Sequence, residues 1–321
     1  MTKELMSKAL ITGVNGQDGI LMADLLLRKG YEVVGISRKF DKIKQFHDLI
    51  SNPKIHLLNL DIRDTPKLNK LIKNYNFDEV YNFAGVSSVK ESFSAAAEYK
   101  EINVDATWRL FKELQRFSPK TRIFHSSSSE MYGANRNYPF DESSELNPMS
   151  PYAISKAEIH LKIDSLLSEN FFISRGIMFN HESKLRDDKF LSARLCREFK
   201  KIIQKEQDYF SLGNLNARRD WSYAGDFMEG IWKSLQQAEP ITFVLASGVD
   251  HSVLEFADEI RKQIGLTQET TSYLEVDQNL LRTFDADISV GDPTKALIEL
   301  NWKVSRDFSG LVEKLLDKDN Y

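Results

Sequence analysis

The chain has 321 residues, of which 41% are hydrophobic and 28% are charged. This is ordinary globular usage, which excludes a disordered, collagen-like or coiled-coil protein, and at roughly 150 residues per domain the length predicts about two domains. Lys and Arg (43) against Asp and Glu (47) leave a formal charge of −4, so we expect no broad basic surface for nucleic acid or an anionic membrane.

Cysteine content and hydropathy bear on the cellular compartment. The single Cys196 cannot form an intramolecular disulfide, which argues against a secreted, disulfide-built fold. No apolar run approaches the roughly 18 residues of a membrane helix, and the short polar start carries no signal-peptide pattern. We therefore expect a cytoplasmic protein.

The first 180 residues alternate short apolar runs with longer helical patterns. Strands are predicted at residues 9–12, 31–36, 55–60, 80–83, 122–126 and 172–179, and helices at 18–29, 94–117 and 151–167. This alternation predicts an α/β fold of the Rossmann type, with a doubly wound parallel sheet.

The alternation of strands and helices becomes less regular after about residue 180. Helices are expected near residues 187–205, 227–236 and 253–264, with strands near Phe210 and at 242–246. Asp292 and Pro293 are typical of a helix start, with Asp as the cap and Pro in the first turn. We predict a cofactor-binding domain at residues 1–180 and a smaller C-terminal α/β substrate-binding part at residues 181–321, with the chain able to cross between them.

A glycine-rich turn follows the first predicted strand. Glycine at this position lets the backbone turn tightly and approach a pyrophosphate that rests on the helix N-terminus. A plain tight turn is the alternative, but the place of the motif as the first βα turn favours a dinucleotide site. The predicted cofactor contacts in this loop are Gly13, Asn15, Gly16, Gln17, Asp18 and Gly19.

The end of the second strand predicts which dinucleotide binds. An NAD enzyme commonly presents an acidic residue there, whereas this strand ends in Arg38 and Lys39, with no carboxylate before Asp41. Arg38 could hold a 2′-phosphate bidentately, which favours NADP over the alternative of a solvated basic loop. Asp61 and Ile62, after the third strand, are placed to flank the adenine.

Tyr152 and Lys156 are the candidate catalytic pair. They lie four residues apart on a helix that Ser150 caps and Pro151 begins, so both side chains share one face. A neighbouring ammonium favours the phenolate, and such a tyrosine can exchange a proton with a substrate hydroxyl during hydride transfer. About one Tyr-x-x-x-Lys match is expected by chance, so the weight of this one comes from its place after the fifth strand.

The fifth strand runs into four serines and Glu130. Hydroxyls such as that of Ser128 can hydrogen-bond a reacting sugar oxygen at the carboxyl end of a central strand, and Glu130 could take a proton from carbon. The alternative is a serine-rich turn with a surface glutamate; the proximity of Tyr152 and Lys156 favours the catalytic interpretation.

These motifs resemble the extended short-chain dehydrogenase/reductase family, and within it the GDP-mannose 4,6-dehydratases, over nearly the whole chain. The matching segments are residues 12–19, 128–133, 150–156, 179–183, 212–221 and 291–296. Gln17-Asp18 in the phosphate loop and Asn180-His181-Glu182-Ser183 are specific to this branch of the family.

The resemblance implies an NADP-dependent 4,6-dehydratase of a nucleotide sugar, with GDP-mannose the favoured substrate. Tyr152, supported by Lys156 and Ser128, would remove the C4 hydroxyl proton as C4 hydride passes to NADP. Glu130 would abstract the C5 proton, water would leave from C6, and the hydride would return to C6. Residues 1–180 would then bind NADP and residues 181–321 the nucleotide sugar.

The resemblance also assigns further contacts. Phe83 and Ala84 are expected to contact the cofactor. His181 could be a general base or a metal ligand, but no other His or Cys stands near it at metal-ligand spacing, which favours a cofactor contact; no metal site is predicted. The expected substrate contacts are Ser87, Ser129, Asn180, Arg194, Asn214, Arg219 and Arg282. Arginine suits a diphosphate because of its planar fork, the alternative for each being a salt bridge.

Some positions depart from the family pattern. Asn15 replaces a hydroxyl residue, Ser128 stands where many relatives have threonine, and residues 84–89 lack the familiar Gln before Ser. Residues 37–47 lack the longer loop that many relatives use in NADP-bridged tetramers, which leaves tetramerisation open. We expect a homodimer through the helices at residues 94–117 and 151–167.

Other functions remain open. The same chemistry could act on another GDP-sugar such as a GDP-heptose. A 4-keto reductase or 4-epimerase would share Tyr152 and Lys156 without requiring Glu130. A non-catalytic dinucleotide sensor could use the same fold, although a sensor need not retain this combination of hydroxyl, Tyr, Lys and Glu.

Overall fold

The computed structural model describes residues 6–281 and 286–316. The chain forms two compact units and passes between them several times. The first unit contains the described residues of Met1–Met131, Pro148–Met178 and Met228–Phe243, and the second contains those of Tyr132–Asn147, Phe179–Phe227 and Val244–Tyr321.

The strands and helices are numbered in chain order over the described residues. Strands β1 to β13 are Lys8–Thr12, Glu32–Ser37, Ile55–Asn59, Glu79–Asn82, Arg122–Ser128, Ile173–Met178, Asn180–Glu182, Phe210–Leu212, Arg218–Tyr223, Thr242–Leu245, Asp250–Ser252, Leu274–Val276 and Ile288–Ser289. Helices α1 to α13 are Gln17–Arg28, His47–Ile50, Thr65–Tyr75, Val89–Ser92, Ala96–Lys100, Thr107–Phe117, Pro151–Lys162, Asp164–Leu167, Leu191–Ile203, Ala224–Leu235, Val253–Gln263, Thr294–Leu300 and Phe308–Leu316. A π-helical segment, Glu101–Ala106, joins α5 to α6, and short 3₁₀ turns occupy Ile43–Gln45, Ser129–Tyr132, Thr270–Tyr273 and Gln278–Leu280.

The sheet of the first unit has the strand order β3-β2-β1-β4-β5-β6, with β10 beside β6. Neighbouring strands from β3 to β6 pair in parallel. The chain therefore builds outward from β1 in one direction and then in the other, which confirms the predicted doubly wound Rossmann-type sheet. In such a sheet the strand order reverses between β1 and β4, and ligands bind at the carboxyl ends of the strands there.

Apolar side chains on neighbouring strands form the core of the first unit. Leu10, Val34, Val80 and Ile123 come from β1, β2, β4 and β5 and have no exposed surface. They share one cluster with buried side chains of α3, α6 and α7. Full burial of each such side chain stabilises the fold by about 1.5–3 kcal/mol relative to exposure, so the strand ends that carry polar residues rest on a rigid base.

A buried polar cluster lies at the start of β4. The Glu79 carboxylate accepts hydrogen bonds from Tyr31 at 3.1 Å, Tyr81 at 2.5 Å and Gln236 at 2.9 Å. Trp232 donates in turn to the Tyr31 hydroxyl at 3.1 Å. Burial raises the pKa of Glu79, although the three donors oppose the shift. The cluster ties α10 and the residues after it to the amino ends of the strands.

The second unit has its own sheets and core. Strand β9 pairs in parallel with β7 and β13 and antiparallel with β11, and β8 pairs with β12. Leu195, Phe199, Trp221 and Phe256 are buried in one cluster with side chains of α13. Asp220 on β9 is fully buried and accepts hydrogen bonds from Ser247 and from the backbone of Gly248.

Several elements differ from the sequence prediction. The helix predicted at residues 94–117 contains the π-helical segment, and the one predicted at 151–167 is interrupted at Ile163. Helix α12 begins at Thr294, with Pro293 in the cap position, although Asp292 still accepts a hydrogen bond from the Thr294 N–H at 2.9 Å. Helices α3 and α13 and strand β9 were not predicted. Over the described residues, no helix is long and apolar enough to cross a membrane.

Candidate active site

The phosphate loop is a closely packed turn between β1 and α1. Gly13 has a positive φ of +72°, and a Cβ there would lie 2.8 Å from the Ala84 backbone nitrogen. A Cβ on Gly19 would lie 2.5 Å from the Gly13 carbonyl oxygen. Helix α1 begins after Gly16, which has no side chain to cap it. The helix start therefore directs its backbone N–H groups and positive dipole end toward the turn, as an anion site requires.

The side chain of Asn15 holds the segment after β2. Its Nδ2 donates to Asp41 at 2.5 Å, and its Oδ1 accepts from the backbone of Lys42 and of Ile43, each at 3.0 Å. Asp41 also pairs with Lys39 at 3.1 Å. The hydrogen bonds from Asn15 and Lys39 hold the pKa of Asp41 below its usual range. Asn15 thus fixes the loop that carries the predicted 2′-phosphate contact.

The residues that follow β2 and β3 present opposite charges. Arg38 is exposed, and its backbone carbonyl accepts a hydrogen bond from Asn59 at 3.0 Å. The Asp61 carboxylate is bound by Arg63, with the shortest contact 2.6 Å from Nη2. The Arg63 hydrogen bond, with a smaller contribution from the Arg38 charge, holds the pKa of Asp61 below its usual range. Ile62, beside this pair, is buried.

Strand β4 ends beside the phosphate loop. Thr12 Oγ1 donates to Asn82 Oδ1 at 2.7 Å and accepts from the Ala84 N–H at 3.1 Å. Phe83 N–H donates to the Thr12 carbonyl at 3.2 Å. These bonds place the predicted cofactor residues Phe83 and Ala84 directly against Gly13. Ser87, three residues further on, is exposed.

Helix α7 carries Tyr152 and Lys156, and its start follows the predicted pattern. Ser150 accepts a hydrogen bond from the Ala153 N–H at 3.1 Å, and Pro151 is the first helical residue. Tyr152 and Lys156 are each 8% exposed. Lys156 Nζ donates to the backbone carbonyl of Ser126 on β5 at 2.7 Å. Burial lowers the pKa of Lys156 to about 8, and the Asp18 carboxylate opposes the shift.

The other predicted catalytic groups, Ser128 and Glu130, lie at the end of β5 and just after it. Ser128 ends β5 and Ser129 begins the 3₁₀ turn that contains Glu130. Ser128 Oγ accepts a hydrogen bond from the Glu130 N–H at 3.3 Å. Both serines are buried, whereas Glu130 is partly exposed. Ser128 and Glu130 therefore lie two and four residues along the chain from Ser126, the strand residue that binds Lys156.

Asn103 is a residue of this region that sequence reasoning missed. It lies in the π-helical segment, is 2% exposed, and hydrogen-bonds both the N–H and the C=O of Val86 at 3.0 Å. Its Nδ2 also donates at 3.0 Å to Ser155 Oγ, and Ser155 donates to the Tyr152 carbonyl at 2.7 Å. A signal was present, since asparagine favours caps and turns and is a poor helix former in a helix interior.

The second unit contains the other predicted contacts. Asn180 and His181 lie on β7, where Asn180 is in register with Trp221 of β9, two residues from Arg219. His181 Nδ1 lies 2.7 Å from the Phe179 carbonyl, and its ring stacks on Phe227 with centroids 4.9 Å apart.

Two predicted substrate contacts of the second unit, Arg194 and Arg219, donate hydrogen bonds to backbone carbonyls. Arg194 on α9 donates to the Ser211 carbonyl at 2.7 Å, and Asn214 follows the same strand, β8. Arg219 is 9% exposed and donates to the carbonyls of Arg218 and Ala286 at 2.7 and 2.8 Å. Arg282 lies outside the described residues. Within the described part of the chain, no group of three or more His, Cys, Asp or Glu could hold a metal ion.

Comparison with known proteins bears on this geometry. A family model described as "GDP-mannose 4,6 dehydratase" matches residues 10–315. The human protein named GDP-mannose 4,6 dehydratase is 35% identical over 337 residues, covering 97% of this chain and 91% of its own length. The Vibrio cholerae protein of the same name is 31% identical, with 97% and 93% covered.

Solved structures extend the comparison of the fold. A UDP-glucose-4-epimerase from Stenotrophomonas maltophila, with bound NAD and formylated UDP-arabinopyranose, superposes with a TM-score of 0.85. It is 21% identical, and the match covers 97% of each chain. At this identity the likeness establishes a shared fold.

Proposed function

The chain belongs to the GDP-mannose 4,6-dehydratase family, and on this premise we propose that it converts GDP-mannose to GDP-4-keto-6-deoxymannose with NADP as its cofactor. The reaction is a carbon–oxygen elimination, in which C4 is oxidised, water is lost from C5 and C6, and C6 is reduced. One observation carries the proposal. Buried Lys156, one helical turn from Tyr152, is hydrogen-bonded to the strand that presents Ser128 and leads into Glu130.

The phosphate loop fits a dinucleotide. The packing around Gly13 and Gly19 leaves no room for a Cβ, and the start of α1 directs backbone N–H groups at the turn. Arg38 and Lys39 are both exposed after the end of β2, and Lys39 pairs with Asp41. Arg38 is therefore proposed to bind the 2′-phosphate. NADP, when bound, accepts the hydride from C4 and returns it to C6.

The proposed work of the first unit's side chains is proton transfer. Tyr152 accepts the C4 hydroxyl proton, the Lys156 cation favours the phenolate, and Ser128 hydrogen-bonds the C4 oxygen. The resulting C4 ketone acidifies the C5 hydrogen. Glu130 takes that proton and delivers it to the departing C6 hydroxyl, so one water leaves. The proton that Tyr152 took from the C4 hydroxyl is then returned to C5 as C6 is reduced, which restores the starting protonation of the site.

The proposed contacts to the nucleotide sugar are Ser87, Ser129, Asn180, Arg194, Asn214, Arg219 and Arg282. The carbonyl contacts of Arg194 and Arg219 fix the direction of each guanidinium, which reduces the entropy lost when a diphosphate binds. The preference for GDP is supported by the name of the matching family.

A homodimer through α5–α6 and α7 is the proposed assembly. Ile154 and Leu161 on α7 are 52% and 57% exposed. They are seven residues apart, so they share a face, and Ile154 points about 200° around the helix from Tyr152. An exposed apolar face on the helix opposite its catalytic face is suited to packing against a second copy. Light scattering coupled to size-exclusion chromatography would test this, because a monomeric mass would contradict it.

The activity test is incubation of the purified chain with GDP-mannose and NADP. The product should have lost the mass of one water, with no net accumulation of NADPH, because the hydride is returned within each turnover. GDP-heptose and UDP-glucose, run in parallel, test the sugar and the base. Stoichiometric NADPH consumption on a 4-keto sugar would instead indicate a reductase.

Two variants separate the catalytic groups. Tyr152→Phe should abolish turnover while NADP binding persists. Glu130→Gln should still oxidise C4 and therefore accumulate NADPH to about one equivalent per site, because elimination is blocked. A wild-type protein that binds NADP but converts none of the nucleotide sugars would favour a dinucleotide sensor.

A further inference from the structure

Helix α7 has a third polar residue on the face that carries Tyr152 and Lys156. His160 follows Lys156 by four residues, as Lys156 follows Tyr152, so the three side chains form one stripe along the helix. His160 is 8% exposed. Among the residues that the structure describes, His160 belongs to no metal-ligand cluster, and the reaction proposed above does not use it.

The His160 ring is paired with β5. Its Nδ1 lies 2.7 Å from Ser127 Oγ, and Ser127 is 2% exposed. Ser127 stands between Ser126, whose carbonyl binds Lys156, and Ser128, the proposed substrate contact. Ser126 and Ser127 of β5 are therefore hydrogen-bonded to Lys156 and His160, which lie on consecutive turns of α7. Ser128, the last residue of the strand, follows directly.

The ring holds this bond as a neutral group. Burial, together with the nearby Arg175 charge, lowers the pKa of His160 to about 3. The hydrogen bond between Ser127 and His160 therefore joins two neutral side chains. We expect it to persist across the pH range in which an enzyme of this kind works.

A neighbouring strand secures the same turn of α7. Arg175 on β6 donates from Nη1 to the His160 carbonyl at 2.6 Å and to Asp164 Oδ1 at 2.7 Å. Its Nε donates to Thr242 Oγ1 at 2.9 Å. Arg175 thus holds the last turn of α7 at its backbone, and Ser127 holds the same turn through a side chain. We expect the side-chain bond to set how the helix is rotated and shifted against β5.

We propose that Ser127 and His160 are a positioning pair, which fixes the register of α7 on β5 and so holds Tyr152 at its working position relative to Ser128. The pair touches neither substrate nor cofactor. A displacement of about 1 Å in such a site can lower the rate 10²-fold, so one hydrogen bond in this place has a kinetic consequence. The proposal rests on the proposed function for its kinetic test only.

The test compares Ser127→Ala, His160→Leu, the double variant and His160→Asn, whose amide can replace Nδ1 as a hydrogen-bonding group. Ser174→Ala is the matched control, because Ser174 is a fully buried serine of the adjacent strand β6 that bonds the backbone of Ser234 and Ile241 instead of α7. Ser127→Ala and His160→Leu should each lower kcat about 10-fold or more, with little change in KM or NADP affinity. The double variant should be no worse than the singles, and His160→Asn should restore most of the rate.

A second readout needs no substrate. With ¹³Cζ-labelled tyrosine, the NMR signal of Tyr152, assigned through Tyr152→Phe, should shift in Ser127→Ala and recover in His160→Asn, while Ser174→Ala leaves it in place. If the wild type proves inactive on every sugar, the proposed function fails and this signal still decides the positioning role. Equal kcat and an unmoved Tyr152 signal in Ser127→Ala and Ser174→Ala would overturn the proposal.

Discussion

The side-chain amide of Asn103 brackets the backbone of Val86, accepting from its N–H and donating to its C=O, each at 3.0 Å. Through Ser155 the same amide reaches the first turn of α7, where Ser155 donates to the Tyr152 carbonyl. One buried side chain thus links the loop after β4, the π-helical segment and the catalytic helix.

Replacement of Asn103 should therefore cost stability and activity together. We expect Asn103→Ala to lower the free energy of unfolding by about 1–3 kcal/mol, because the partly buried N–H and C=O of Val86 lose the hydrogen bonds that Asn103 supplies. Urea unfolding measures this. Asn135→Ala, which removes a surface hydrogen bond to the Glu145 carbonyl, should stay within about 0.5 kcal/mol of wild type. Equal losses in the two variants would contradict the linking role of Asn103.

Arg38 should govern the choice between NADP and NAD. We expect Arg38→Ala to weaken NADP binding about 10- to 100-fold, the range for loss of charge-assisted hydrogen bonds, while NAD binding changes little. Isothermal titration with both dinucleotides measures it. Lys39→Ala is the control, since its ammonium already pairs with Asp41 at 3.1 Å; an equal NADP loss in that variant would place the 2′-phosphate elsewhere.

Lys156 should give the activity an alkaline limit. Because its pKa is lowered to about 8, the cation that favours the Tyr152 phenolate disappears as the pH rises through that value. The rate should fall there in a pH–kcat/KM profile. Asp18→Asn removes the carboxylate that opposes the shift, so the limit should move to lower pH. A limit that stays in place would mean that another group titrates.

Glu79 should make stability depend on pH. Burial raises its pKa in the folded protein above the ordinary value of 4.5, so its favourable contribution is complete below that value and is lost as the pH rises through the folded pKa. The unfolding free energy of wild type relative to Glu79→Gln should therefore decrease as the pH rises above the ordinary pKa of a glutamate. Urea titrations at several pH values measure it, with Glu158→Gln on the exposed side of α7 as control. A pH-independent difference would contradict the shift.

Local sequence predicted the parts of the site that depend on periodicity. The glycines after β1 and the Ser150–Pro151 start of α7 are short-range signals, because a tight turn and a helix cap each involve residues within one turn of the chain. The Tyr152–Lys156 spacing likewise follows from helix geometry alone. These elements lie where the alternating strand and helix patterns predicted them.

The bonds that hold the site could not be predicted this way. His160 and Ser127 are separated by 33 residues, and Asn103 and Ser155 by 52. Which partners meet depends on strand order and helix rotation, and neither leaves a periodic trace in the sequence. Strand β9 was not predicted because three of its residues, Arg218, Arg219 and Asp220, are charged. Each of them is hydrogen-bonded to a partner that is distant in the chain.

The Glu79 cluster sets a condition for dividing this protein into parts. The first unit takes Met228–Phe243 from far along the chain, and that segment supplies Trp232 and Gln236 to Tyr31 and Glu79. A fragment ending at residue 180 would lack Trp232 and Gln236, so the Tyr31 hydroxyl and the Glu79 carboxylate would each lose a hydrogen bond. A minimal cofactor-binding fragment must therefore be engineered with the later segment joined back by a linker, and a split-protein reporter cut between residues 180 and 228 would reassemble through this cluster.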